Sequence, residues 1–325
     1  MKILLDSSGL DKGPDIVIEA AQKAKNDLNI QVAIVGLPDL KEKVEEAGIE
    51  FVPAETEITP NHENPALAIR REKTSTIVVG LNLLKEGSVD AFVSGGSTGA
   101  VLAGGMLVVG RLPGVKRAAL STYVPTKKGY VVLIDMGANV DVTPDVLYSF
   151  GVMAKCYAES ILNIENPRIS LLNNGAEEHK GNALTKEAYQ LFKNSDLNFV
   201  GNMEARYIFD GDADVVVMDG FAGNVIVKAL EGGFRFTNYL LKSAAKKSFI
   251  TKIGLGLAKA GLKKEMSILD SSQYGGVPLL GLKKPVIKAH GSSDANAIYN
   301  SIIVAKNTIE SNMIEKIEKS FKGEE

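Results

Sequence analysis

The sequence predicts an α/β protein in which a mostly parallel sheet is covered by helices. Two patterns carry that expectation: short apolar runs alternate with stretches of helical spacing, and glycine-rich or polar turns punctuate the joins. Composition agrees, because 45% hydrophobic and 23% charged residues fit an ordinary globular core rather than a disordered or disulfide-built chain. A length of 325 residues exceeds one small core, so one large domain, or two lobes sharing a crevice, is expected.

In chain order the expected strands are Ile3–Asp6, Val32–Val35, Phe51–Val52, Ala91–Ser94, Val131–Asp135, Ile169–Leu172, Asn198–Val200, Val215–Asp219 and Val286–Ala289. The expected helices are Asp15–Lys25, Leu40–Ala47, Ala66–Lys85, Thr98–Gly110, Pro144–Leu162, Ala183–Phe192, Asn224–Leu241 and Asp294–Ile317. Thr143 before Pro144 is a cap followed by a first-turn proline. Residues 240–266 are set apart as a basic amphipathic helical protrusion. Seven lysines and no acid fall between Lys242 and Lys264, interleaved with Phe249, Ile250, Ile253 and Leu257. Gly254, Gly256 and Gly261 predict a bend there in place of one continuous helix. Ser272–Leu282 is expected as a glycine-rich loop.

Several classes of function are disfavoured. The only cysteine, Cys156, excludes an internal disulfide and a multi-cysteine zinc site and fits a reducing compartment. Three scattered histidines, His62, His179 and His290, do not make a metal centre. A net charge of −2 gives no global attraction to nucleic acid. Lys2 leads at once into Ile3–Asp6, which reads as a strand rather than a secretory segment, and apolar runs such as Ala100–Gly110 fall short of the roughly 18–20 residues that span a bilayer. A cytoplasmic protein is expected.

The strongest chemical signal is Ser94-Gly95-Gly96-Ser97-Thr98-Gly99, between an apolar strand and a helix rich in small residues. Such a turn offers free N–H groups and a positive helix end to an anion, yet it matches neither nucleotide-binding spacing. Comparable turns follow other strands: Asp135–Asn139, Asn173–Asn182, Asp219–Asn224 and Lys288–Asp294. If the strands are parallel, all five turns share one edge and converge on one crevice. Within them, Asp135, Asp219 and Asp294 serve equally well as turn or helix caps. Asn139, Asn182 and Asn224 fit caps too, although an amide can donate to an oxyanion, and Asn224 beside two glycines is the preferred donor. Lys180 stands in a long polar turn, and His290 stands at a strand end flanked by Gly291 and Ser292. His179 reads as solvent-exposed and His62 as part of a turn. Cys156 lies among apolar helical residues and reads as a core thiol.

The succession SGGSTG at Ser94, DMGANVD at Asp135, NNGAEEHKGN at Asn173, GDADVVVMDGFAGN at Gly211, YGGVPLLG at Tyr274 and KAHGSSD at Lys288 resembles the PlsX-type phosphate acyltransferases over nearly the whole chain. The resemblance implies a single catalytic domain with a three-layer, Rossmann-like, isopropylmalate-dehydrogenase-like fold, and a homodimer. It also implies transfer of a fatty acyl group from acyl carrier protein to inorganic phosphate for phospholipid synthesis. The chain departs from the family pattern in its first turn, Asp6-Ser7-Ser8-Gly9-Leu10-Asp11, where Asp-x-Met-Gly-Gly-Asp is usual. Ser97, Asn174, Ala176 and Ala222 are further departures.

Phosphate is anionic near neutral pH and can attack a thioester itself, so positioning and charge stabilisation become the main tasks. The expected assignment gives the phosphate to Ser94, Gly95, Gly96, Ser97, Thr98, Gly99 and Lys180, with Asp135, Asn139, Asn182, Asp219, Gly220, Gly223, Gly291 and Ser292 completing the binding turns. Asn224 meets the developing oxyanion, and His290 orients phosphate or protonates the departing thiolate. No metal or organic cofactor is required. A phosphotransacylase acting on CoA thioesters, a dehydrogenase of the same fold and a non-catalytic membrane-associated phosphate or acyl binder are the competing readings. The basic 242–264 segment is expected to make reversible contact with anionic membrane, with carrier docking and subunit packing as alternatives.

Overall fold

The computed structural model describes residues 1–59, 64–267 and 275–322, and eleven strands among them form one sheet. These are β1 (Lys2–Asp6), β2 (Gln31–Gly36), β3 (Glu50–Pro53), β4 (Ala91–Ser94), β5 (Ala119–Thr126), β6 (Gly129–Ile134), β7 (Ile169–Asn173), β8 (Phe199–Glu204), β9 (Val215–Val217), β10 (Val277–Leu280) and β11 (Val286–Lys288). The helices are α1 (Asp15–Leu28), α2 (Lys41–Glu46), α3 (Pro65–Arg71), α4 (Thr76–Glu86), α5 (Thr98–Gly104), α6 (Pro144–Ile161), α7 (Ala183–Lys193), α8 (Gly220–Lys247), α9 (Phe249–Ser267), α10 (Ala295–Glu310) and α11 (Met313–Lys322). His62 and Tyr274 lie outside the described residues.

Strand alternation builds three layers. In the first half of the sheet, Ile3, Leu5, Ile34, Val93 and Ile287 point to one face and pack with Val17, Ala21 and Ile302 from α1 and α10. Their neighbours Leu4, Val35, Phe92 and Val286 point to the other face, against Ile77, Leu81 and Val101 from α4 and α5. The second half repeats the scheme. Val132, Ile134, Val215 and Val217 pack on Leu147, Phe150 and Met153 of α6, while Val131, Leu133 and Val216 meet Met203 and Ile208 on the opposite side. Strands buried on both faces read as continuous apolar runs, which is why these were legible in the sequence.

The sheet is mostly parallel, as expected, but strand direction corrects the expectation that the five turns share one edge. The order is β3-β2-β1-β4-β11-β10-β5-β6-β9-β7-β8. The β11–β10, β10–β5 and β5–β6 ladders are antiparallel, and the remaining ladders are parallel. The sheet is therefore two parallel halves of opposite direction joined by antiparallel strands, and the five turns do not share one edge. β5 lies where no strand was expected, and β10 replaces part of the expected Ser272–Leu282 loop.

Two expected helices are divided, and the expected bend of the basic protrusion falls at another residue. The Ala66–Lys85 segment breaks between α3 and α4, where the Thr74 carbonyl accepts from the Glu55 N–H at 2.9 Å and Ser75 Oγ donates to the Glu72 carbonyl. The Asp294–Ile317 segment breaks at Ser311-Asn312, with Asn312 at φ 53°. The basic protrusion bends at extended Ser248, whereas Gly254, Gly256 and Gly261 lie inside α9. A Cβ at any of those three glycines would meet no heavy atom within 4 Å, so open surroundings accommodate them.

Candidate active site

One wall of a central crevice is built from the ends of β1, β4 and β11. Asp6 is buried, and its Oδ1 accepts the Ser8 N–H (2.9 Å) and Ser8 Oγ (2.7 Å), while its Oδ2 accepts Ser94 Oγ at 2.6 Å. Ser94 Oγ in turn accepts the Gly96 N–H at 3.1 Å, and Ser8 Oγ lies 2.9 Å from Thr76 Oγ1. Burial pushes the Asp6 carboxyl above its usual range, against the lowering effect of the Ser94 and Ser8 hydrogen bonds. Asp6 thus fastens the glycine turn through Ser94, and Ser8 of the altered first turn braces that carboxylate. The two turns also need bare glycines: a Cβ on Gly9, at φ +72°, would stand 2.4 Å from Gly96 Cα, and one on Gly95 would stand 2.4 Å from the Leu10 side chain.

Past these glycines, Ser97 precedes α5 without a side-chain cap, leaving the start of the helix open to an anion. Thr98 is exposed and Ser97 half-buried. Beside them, the Ala289 N–H donates to the Ser94 carbonyl at 2.9 Å, and the Asp11 N–H donates to the Gly291 carbonyl at 2.8 Å. His290 keeps a solvent-exposed face. Its Nδ1 accepts the Ser292 N–H at 3.2 Å and lies 2.8 Å from Ser292 Oγ, so the neutral ring turns Nε2–H outward. Burial, then Lys228 and Lys288, hold the imidazole below its usual pKa. Lys288 donates from Nζ to the carbonyls of Gly95 and Ala289.

The other wall comes from β6, β9 and the start of α8. Asp135 is fully buried and accepts the N–H groups of Leu120, Gly137, Ala138 and Asn139 together with Asn139 Nδ2, at 2.7–3.2 Å. Its carboxylate folds its own turn. Asn139 also donates to the Ala118 carbonyl at 2.8 Å. Asp219 caps α8 by accepting the Ala222 N–H at 2.7 Å, and the Gly220 and Gly223 N–H groups donate to the Asn139 and Asp219 carbonyls. A Cβ on Gly223 would stand 1.9 Å from the Asp135 carbonyl oxygen, so that glycine permits the helix to lie on the turn. Asn224 remains exposed beside Gly137.

Two observations join the walls. Met136 and Ala138 of the second wall pack on the apolar cluster that contains Ala100 and Val101 of α5. Across the gap, Lys228 and Glu231 of α8 act electrostatically on His290. Lys228 lies one turn beyond Asn224, so both occupy the α8 face that looks towards His290.

The remaining expected residues have local partners. Asn182 caps α7 through the Thr185 N–H at 2.9 Å, and Asp294 caps α10 through the Ala297 N–H at 2.9 Å. Lys180 is half-buried; its carbonyl accepts from Asn173 Nδ2 at 3.2 Å, and its stem covers Gly175. Its turn follows β7, two strands from β6 and on the same side as the Asp135 and Asp219 turns, with no contact among those described linking it to the first wall. His179 is exposed and belongs to a shallow charged depression with Lys186 and Glu187, away from the crevice. Sequence reading missed Asp6, Ser8 and Thr76, whose only signal is an acid closing the first strand and a serine-rich first turn.

Residues 1–316 match the family described as fatty acid synthesis protein. A phosphate acyltransferase from Thermoanaerobacterium thermosaccharolyticum is 46% identical, the match covering 99% of this chain and 97% of that protein. Another, from Alkaliphilus oremlandii, is 45% identical over 98% of this chain and 96% of that protein. Among solved structures, a phosphotransacetylase from Streptococcus pyogenes superposes with a TM-score of 0.61 at 20% identity, covering 95% of this chain and 94% of that one. A 4-hydroxythreonine-4-phosphate dehydrogenase from Klebsiella pneumoniae gives 0.55 at 14% identity, covering 95% and 97%. Those two likenesses bear on the fold alone, and they agree with the expected dehydrogenase-type α/β scaffold.

Proposed function

Because this chain belongs to the fatty acid synthesis protein family, we propose that it transfers an acyl group from the thioester of acyl carrier protein to inorganic phosphate, forming an acyl phosphate for phospholipid synthesis. The observation that carries this reading is the opposition of an anion-binding wall, Ser97, Thr98 and His290, to the α8 face bearing Asn224. Phosphate held at the uncapped start of α5 presents an oxygen to the thioester carbonyl carbon. The new P–O–C bond forms, the carbonyl becomes a tetrahedral oxyanion, and Asn224 Nδ2 donates to it. Collapse breaks the C–S bond and releases the carrier as a thiolate. His290, kept neutral, orients phosphate by donating Nε2–H. Lys180 adds charge from its own turn.

Two further parts of the reading concern partners. α8 and α9 expose Phe236, Tyr239, Phe249, Ile250 and Leu257, and the 242–264 segment carries its lysines among them. That combination supports peripheral contact with anionic membrane at the α9 end, and exposed apolar residues along α8 support packing against a second copy in a homodimer. Among the described residues no helix is long and apolar enough to cross a membrane.

Hydroxylamine trapping tests the reaction. Purified protein given acyl carrier protein thioester and phosphate should yield acyl hydroxamate in proportion to both. Product formed from acyl-CoA but not from the carrier thioester would move the protein to the phosphotransacylases, and absence of product from either would remove the reading.

A further inference from the structure

Three parallel strands end in step beneath the glycine turn. Strand pairing sets Asp6 opposite Ser94 across β1–β4 and Lys288 opposite Ser94 across β4–β11. Paired residues of parallel strands leave the same face, so Asp6, Ser94 and Lys288 form one row. Asp6 holds the turn from one flank through Ser94 Oγ and the Gly96 N–H. From the other flank Lys288 Nζ lies 3.3 Å from the Gly95 carbonyl and also donates to Ala289. An ammonium has three donors, and its acceptors here are neutral carbonyls. Neutral acceptors compensate a half-buried cation poorly, whereas a phosphate oxygen compensates it well.

We infer that Lys288 is a substrate-binding residue whose ammonium turns from the Gly95 carbonyl to inorganic phosphate when that anion occupies the Ser97–Thr98 turn. This rests on the acyltransferase reading and adds a cation that neither Lys180 nor His290 supplies. The charged group that acts on Lys288 is Asp6 on β1; Lys288 in turn acts on His290, two residues past the end of β11, together with Lys228 and Glu231 of α8 and Asp11 of the first turn. Asp6 also acts on Glu57, whose carboxyl burial and then Asp6 and Asp39 push up. Burial pushes the Lys288 ammonium down to about 8, while Asp6 opposes that fall. Binding therefore depends on a proton that is present below that pH and lost as pH rises through it.

The experiment compares Lys288→Gln, which keeps a donor without charge, with Lys288→Arg, which keeps charge at all relevant pH. Phosphate KM should rise roughly ten- to hundredfold in the Gln variant, as expected for one charged hydrogen bond, with the acyl-donor KM unchanged and Arg restoring part of the loss. In the parent, phosphate KM should climb above pH about 8, and the Arg variant should lack that climb, since the titration of phosphate itself is common to both. Independently of turnover, inorganic phosphate alone should raise the melting temperature of the parent and not of the Gln variant. A Gln variant that loses kcat with both KM values intact, or that is stabilised by phosphate like the parent, overturns the inference. So does a parental climb persisting in the Arg variant, which decides the matter even if the Gln variant does not fold. A parent that binds phosphate through Lys288 yet makes no acyl phosphate would sink only the acyltransferase reading.

Discussion

Asn224 is the side chain on which the proposed chemistry most depends. It is exposed, and the neighbouring N–H groups of Gly220, Ala222 and Gly223 already have acceptors, so its amide is a side-chain donor open to substrate at the start of α8. Asn224→Ala should lower kcat by about 10²–10³, the usual cost of one oxyanion donor, with an unchanged melting temperature. Lys180→Ala should also reduce turnover while leaving folding intact; activity within a few-fold of the parent in either well-folded variant would take that residue out of the mechanism. At this scale the sequence exposed the turns themselves: Ser94–Gly99, His290 and Asn224 lie at or beside strand ends, as the sequence reading placed them. It hid what works by contact between distant segments. Thr76 belongs to a helix that begins only because the chain breaks at Ser75, and its hydrogen bond to Ser8 joins positions with no periodic relation. Asp135 and Asp219 were weighed equally as ligands and caps, and their oxygens are taken up by their own turns.

Among the elements, α8 carries two glycine environments that should respond oppositely. Gly223→Ala forces a Cβ onto the Asp135 carbonyl and should destabilise by at least the ~1–3 kcal/mol of overpacking. Gly232→Ala meets nothing within 4 Å and should stabilise the helix by about 0.5–1 kcal/mol. Thermal unfolding of both variants reads this directly, and a loss at Gly232 would place a second chain against that face. The α9 end makes a separate prediction. Replacing Ile253 and Leu257, both exposed, by Asp should weaken co-sedimentation with anionic vesicles and spare turnover with soluble substrate. Unchanged co-sedimentation in a protein turned monomeric would make the segment a subunit interface. The strands that sequence reading missed have physical reasons. β5 mixes Ser121, Thr122 and Pro125 into its apolar run, and β10 contains Pro278 between Gly276 and Gly281, so both carry loop signals that tertiary pairing overrides.

For the whole molecule, periodicity reports which residues are buried but not which way a strand runs. The alternation of Leu4 and Leu5, or of Val131 and Val132, between opposite faces was therefore readable as a layered α/β fold. The reversal between the two halves was not. That reversal bears on the proposed function, because the two differently directed halves are joined across β5 and β10. On the proposed reading the halves supply an anion site and an oxyanion donor, and Cys156 takes no part in it, buried on α6 with its thiol pushed up by burial. Direct attack by phosphate is the central claim, and a quenched reaction with and without phosphate tests it. With phosphate, carrier release should equal acyl phosphate formed. Without phosphate, the carrier thioester should persist and the protein's intact mass should be unaltered, in the parent and in Cys156→Ala alike. Carrier released without phosphate, together with an acyl group on the protein, would contradict direct attack and establish a covalent intermediate.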